Sequence, residues 1–208
     1  MARSDDFLAP DAIGSFTNDL FELRKDDNGR ESYGVQLHFG KATSLAVLEQ
    51  HALQAAEREW PGKAAEWIKN GLIKSPFLDG DGKQGFDKEG TKKPGHAGTT
   101  FIRCKSGKDF KPKVYDRQMI PVGDKAAVPS GSVLKPVLNC FTWDHPTNGK
   151  GLTFGVVMVQ VVKKAEGDEV LGGGGGSPEP GKFFEKIADE GAAPDSTKTG
   201  AGASGLFG

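Results

Sequence analysis

Phe101, Arg103 and Lys105 alternate along TTFIRCK, so a β-strand there sends all three to one face. The same spacing puts Lys111, Lys113, Tyr115 and Arg117 together along KPKVYDRQ, and Lys135, Asn139, Phe141 and Trp143 together along VLKPVLNCFTW. Rings interleaved with cations suit neither a dry core nor an ordinary wetted surface. Their chemistry is non-covalent. Ammonium and guanidinium groups meet phosphates and release counterions, while flat rings accept unstacked bases at ~1–3 kcal/mol each. A single-stranded polynucleotide needs both, and rings read every base alike, so such a face binds with little regard for sequence. The competing reading places Phe101, Tyr115 and Phe141 inside a barrel, because a one-residue bulge exchanges the two faces of a strand.

Covalent chemistry finds no comparable set. GSPEPGK (176–182) has the GxxxxGK skeleton of a phosphate loop, but Phe183 replaces the magnesium-binding hydroxyl and two prolines remove N–H donors. Asp79, Asp81 and Asp87 resemble fragments of a calcium loop, yet Lys83 falls where the third ligand belongs and no Glu completes it. His38, His51, His96 and His145 form no HExxH pair, and neither cysteine stands at zinc spacing. No Ser stands in a GxSxG turn. Neither catalytic residues nor a metal site are expected, and the chain reads as a binding protein rather than an enzyme.

The elements that must position the three faces are mostly strands. Ser15–Leu23 and Tyr33–Lys41, joined by a loop with Asn28-Gly29, suggest a hairpin. The period then changes. Thr43 or Ser44 can cap a helix from Leu45, with Leu48, Ala52 and Ala55 on one stripe. Pro61 interrupts it, and a second short helix over about 62–69 ends at Asn70-Gly71. Residues 79–98 are too rich in Gly and charge for regular structure and read as a long loop, whose Lys83, Lys88, Lys92 and Lys93 could fold over a bound strand. Strands return at 99–105, 111–118, 133–143 and 152–162, the last two joined by a turn with Asn148-Gly149. In 133–143 the inward set is Leu134, Pro136, Leu138, Cys140 and Thr142; Cys104 is likewise inward, where a thiol is a small apolar group. Strands, helix, then more strands predict a mostly β fold, a small barrel with one helical insertion.

Composition bounds the rest. The packed body is expected at residues 15–171, with 1–14 as a flexible N-terminus and 172–208 as a Gly-rich linker and mildly acidic, disordered tail. No apolar run reaches the ~20 residues of a membrane span, and no secretory signal opens the chain, so a soluble cytoplasmic protein without membrane contact is expected. Two cysteines make no disulfide framework. Net charge is −1, but its distribution is uneven. Residues 83–117 hold ten Lys or Arg against four Asp or Glu, whereas 172–208 hold five acidic residues against three lysines. A basic middle with an acidic tail points towards nucleic acid, though solvated loops also carry charge runs.

Four segments carry a family resemblance: SYGVQLHFGK (32–41), GHAGTTFIRCKSG (95–107), KPKVYDRQMIPV (111–122) and SGSVLKPVLNCFTWDHPTNGKGLTFGVVMVQVVKKAEGDEVLGGG (130–174). In this order they resemble the OB-fold single-stranded-DNA-binding proteins of tailed bacteriophages, with VYDRQMIPV and the NGKG turn before VQVV the most specific pieces. The resemblance implies a five-stranded barrel with a helix between early strands. It implies sequence-independent binding of single-stranded DNA without a cofactor, in phage replication and recombination within a bacterial host. It places polar and aromatic groups at Lys135, Asn139, Phe141 and Trp143, in agreement with the alternation. It also implies an acidic tail, with an aromatic near its end, that recruits phage replication proteins. Phe207 fits, whereas the last carboxylate side chain is Asp195, and KFFEKIADE (182–190) is an alternative docking element. Monomer and homodimer both remain open. The rival function is a non-enzymatic barrel that grips a protein partner in phage assembly, which would have no need for cations among its rings.

Overall fold

Five segments alternate apolar and polar side chains closely enough to line a closed barrel. In the computed structural model, which describes residues 1–26 and 29–171, they are β1 (Ala12–Ser15), β2 (Glu31–Gly40), β3 (Thr99–Gly107), β4 (Val133–His145) and β5 (Gly149–Lys163). Hydrogen bonding closes the ring in the order β1–β2–β3–β5–β4–β1. Every junction is antiparallel except β3–β5, which is parallel. This is the mostly β, five-stranded, OB-like barrel expected from the sequence. Val35, Leu37 and Phe39 from β2, Ile102 and Cys104 from β3, and Phe154, Val156 and Val159 from β5 fill it. From β4 the inward set is the one read from alternation: Leu134, Pro136, Leu138, Cys140 and Thr142 are all buried. Burial pushes the Cys140 thiol up to about 12 and Cys104 further still, so both behave as apolar filler.

The helical insertion lies between β2 and β3 as α1 (Ala46–Glu59) and α2 (Ala64–Lys69). Leu48, Ala52, Ala55 and Ala56 form the buried stripe of α1, which packs on β4. Small residues on that stripe let the helix approach the sheet closely. The expected Thr43 or Ser44 cap is absent; Leu45 occupies the cap position with no side-chain bond. The helix stop holds: Gly71 is left-handed at φ 70° and its N–H bonds to the Ile68 carbonyl.

Three other expectations need correction. Residues 1–14 are built into the fold rather than flexible. Phe7–Leu8 pairs with β4, Ala12–Ser15 is the first barrel strand, and Ser4 N–H donates to the Cys140 carbonyl at 2.8 Å. The Phe7 ring stacks on His51 of α1 at 4.0 Å and meets Phe154 edge-on at 6.2 Å, while Arg58 pairs with Asp5 at 3.0 Å. Ser15–Leu23 is not a strand, because the chain turns at Phe16 into a single 3-10 turn, Thr17–Leu20, that buries Thr17 and Leu20. The basic strand expected at 111–118 shrinks to Lys113–Tyr115, laid parallel on β5. The linker and tail expected at 172–208 lie outside the described residues. Among the described residues no helix is long and apolar enough to cross a membrane.

If residues 1–9 belong to the core, Phe7→Ala will cost about 3–5 kcal/mol of stability. Urea unfolding followed by tryptophan fluorescence measures it, and a loss below about 1 kcal/mol would return the segment to the status of a loose end.

Candidate nucleic-acid interface

The β4–β5 ribbon presents its rings over glycines. Cross-strand register sets Trp143 opposite Gly151 and Asn139 opposite Gly155, with Phe141 between them opposite Thr153. A Cβ at Gly151 would run into the Trp143 indole, and one at Gly155 into the Phe141 ring and the Asn139 side chain. The missing side chains therefore leave seats that both rings occupy, half-buried on the outer side of the sheet. Cations approach each ring: Arg3 Cζ lies 5.8 Å from the centre of Phe141, and Lys74 Nζ lies 5.8 Å from that of Trp143.

Around Phe141 a cleft of about 470 Å³ opens, lined by Arg3, Lys105, Phe110, Lys111, Lys113 and Asn139 among others. The strands explain the convergence. Phe154 of β5 is level with Cys104 of β3, and Met158 with Lys113, so Lys105 and the 111–113 run come to the edge of the ribbon that bears Phe141. Asn139 is only 4% exposed and donates to Asp6 Oδ1 at 3.0 Å, but its own Oδ1 is buried without a partner. Burial would raise the Asp6 carboxyl, yet the Asn139 amide and Arg3 outweigh it and hold it below the usual range. Among the described residues Arg103, Lys105, Lys111 and Lys113 make no ion pair. In contrast, Lys41, Lys92, Lys125 and Lys163 each face a carboxylate within 2.6 Å. Of the first four, Lys105, Lys111 and Lys113 line the cleft beside the ring, and this arrangement can hold a phosphate chain with a base against Phe141.

Five sequence-expected residues meet in the cleft: Lys105, Lys111, Lys113, Asn139 and Phe141. Arg103 follows next to Lys105 on the same face of β3, and Trp143 continues the ring surface along β4. Lys135 sits farther down β4, opposite Gln160, and Tyr115 lies on the other side of Gln160, outside the cleft, with its backbone bridged to Pro121. Arg117 lines a different hollow with Lys163 and Glu169. Phe101 is a correction. It does face outward, opposite His38, but the segment Leu78–Asp79 pairs beside it and the rings of His38 and His96 pack against it, leaving it 0% exposed. The covering loop is itself well built, so Lys92 is spent on Asp81 and Lys93 on the Gln84 carbonyl instead of reaching over a ligand. Two members of the cleft were missed. Phe110, 74% exposed on the turn after β3, had a visible signal: a large ring in the polar run GKDFK. Arg3 had none, because only pairing with β4 brings it to Phe141.

The profile of the family described as Enterobacter phage Enc34, ssDNA-binding protein, matches residues 15–193. Among solved structures, the single-stranded DNA-binding protein from bacteriophage Enc34 in complex with ssDNA is 14% identical with a TM-score of 0.60, covering 78% of this chain and 89% of its own. The single-stranded DNA binding protein encoded by bacteriophage T7 is 17% identical with a TM-score of 0.51, covering 93% and 100%. At such identities these likenesses speak for the fold. Among curated proteins none matches.

The cluster over Phe101 also has a measurable signature. His38 Nε2 lies 2.8 Å from Ser15 Oγ, its Nδ1 is buried unpartnered, and its ring is 4.5 Å from that of His96. Burial, with His96 beside it, holds His38 down at about 4 against an ordinary 6.5. Burial lowers His96 too, with Lys93 and Arg103 contributing. The folded state then binds fewer protons than the unfolded one between these values, so stability is complete above pH 6.5 and is lost as pH falls towards 4. From pH 7 to pH 5 urea unfolding should register a loss of about 2 kcal/mol from His38 alone, and His38→Gln should flatten that slope. An unchanged slope in the variant would mean that His38 is not held neutral.

Proposed function

The chain belongs to the phage ssDNA-binding protein family represented by Enterobacter phage Enc34, and from that membership we propose that it binds single-stranded DNA without sequence preference and protects it during phage replication and recombination. The observation that carries this reading is the convergence on Phe141, itself seated on Gly155, of Lys105, Lys111 and Lys113, which make no ion pair among the described residues. Phosphates would lie along Arg103, Lys105, Lys111 and Lys113, releasing counterions. Bases would stack on Phe141 and on Phe110 across the cleft, and Trp143 would extend the platform. The unpartnered Asn139 Oδ1 is an acceptor for a base amine or a bridging water. Nothing in this scheme turns over a bond: the protein acts as a binder, in the cytoplasm of the host, and the acidic residues beyond 172 would meet replication partners. A barrel that gripped a protein would give no role to free cations interleaved with rings.

Anisotropy titration with labelled single- and double-stranded oligonucleotides tests the proposal. Phe141→Ala should weaken single-strand binding by ~1–3 kcal/mol, roughly 5- to 150-fold in Kd. Each of Lys105→Ala, Lys111→Ala and Lys113→Ala should flatten the log Kd against log salt slope by about 0.7. Absence of single-strand binding at low salt would refute the function, and a normal Phe141→Ala titration would move the site elsewhere.

A further inference from the structure

Lys105 borders two hollows, and only one contains Phe141. The other, of about 430 Å³, lies across β2 and is lined by Phe16, Arg24, Lys25, Tyr33, Arg103 and Lys105 among others. Its ring is unusually placed. Phe16 ends β1 in the left-handed region, at φ 56° and ψ 37°, with no side-chain cap bond, and it remains 46% exposed. A bulky residue pays steric strain there that Gly or Asn would avoid, and the turn gains no buried side chain from it. The Arg24 guanidinium lies 5.8 Å from the centre of the Phe16 ring, the arrangement also seen for Arg3 and Phe141.

Charge and continuity say what this hollow fits. Arg24, Lys25, Arg103 and Lys105 outnumber Asp19 and Asp26 at its rim, and Arg103 and Lys105 make no ion pair among the described residues. Asp19 is held by Arg24 at 3.3 Å, and Glu31 by Lys25 at 3.3 Å. The two hollows meet across the sheet. Lys105 is registered with Gly34, which has no side chain to obstruct passage, and Arg103 with Gln36, whose Oε1 is buried without a partner. From β4 through β5 and β3 to β2 is three strand spacings of ~4.8 Å, roughly 14 Å, a span that an extended strand of a few nucleotides covers.

We infer that Phe16 is a second base-stacking platform, which takes the same DNA strand after it leaves the Phe141 cleft and crosses Lys105 and Gly34. The inference rests on the single-strand-binding reading and deepens it. The track then has rings at both ends, Phe141 and Phe16, and a cationic middle of Arg103 and Lys105. Arg24 caps the distal ring.

Oligonucleotide length separates the two subsites. The full chain is titrated by anisotropy with labelled oligothymidylates of about 4 and about 12 nucleotides, lengths within the range one such fold covers. Phe16→Gly suits the left-handed backbone and removes only the ring. It should weaken the longer probe about tenfold and the shorter one far less, and Phe16→Tyr should restore binding. Phe141→Ala should weaken both probes. If Phe141→Ala weakens binding while Phe16→Gly leaves both probes unchanged, the second platform is overturned and the function stands. Equal losses on both probes for Phe16→Gly would also overturn it, as a general disturbance of the barrel. If neither probe binds the unaltered chain, the function itself fails.

Discussion

One registration, between β4 and β5, decides which side chains of both strands face the barrel and which face out. It runs unbroken from Gly149–His145 to Val156–Leu138, so Cys140 and Phe154 face inward together and Trp143, Phe141 and Asn139 face outward together. A slip of one residue would drive two aromatic rings and an amide into the interior and expel Leu134, Leu138 and Cys140. The same registration puts glycine opposite Trp143 and opposite Asn139, and that is what lets the outward rings lie down. Below this point the register shifts between Val156 and Met158, a bulge that returns Val159 and Val161 to the interior. Core and outward ring face are consequences of one pairing, so neither can be altered in register without the other.

The charge pattern follows from what surrounds that face. Elsewhere on the surface Lys41, Lys92, Lys125 and Lys163 sit beside carboxylates, and exposed pairs of this kind contribute little to stability. Around the Phe141 cleft Lys105, Lys111 and Lys113 come together without an ion pair among the described residues, and Asp6 beside Asn139 is already shared by Arg3 and that amide. Unrelieved like charge costs the folded state some stability and creates a positive potential that a polyanion relieves. The protein can carry that cost because its interior is dense with fully buried Leu, Ile, Val and Phe.

The barrel was legible because its strands are long and one-sidedly buried, which makes alternation an unambiguous signal. The β4 face was read correctly down to Phe141 and Trp143. What alternation could not show was coverage. It placed Phe101 outward, correctly, but whether outward means solvent depends on a loop some twenty residues earlier in the chain, and Gly80 and Gly85 in that loop pack so tightly that a Cβ on either would hit backbone. The N-terminal residues failed for a related reason. SDDFLAP has no period, and its order comes from contacts with α1 and β4 that no local pattern encodes. Arg3 was invisible as a site residue on the same grounds. Asn139 was read as an outward polar group; its burial by Asp6 is another contact from that segment.

That segment bears on how ready the face is for a ligand. Phe7 is locked between His51 and Phe154, four residues from Arg3, and Arg3 pairs directly with Phe141 through the backbone. The backbone that carries this cation is therefore tied to the core, while the ring rests on Gly155 from beneath. Binding that must first order its own side chains gives up part of its gross interaction energy as entropy. Here Gly155 lies under the ring and Asp6 holds both the guanidinium and the amide of Asn139, and the groups a ligand would still have to order are the rim lysines, which have no ion pair among the described residues. A face with seated rings and unpaired cations would gain affinity from stacking and tolerance from its lysines, which is the combination that the proposed coating of an arbitrary strand requires.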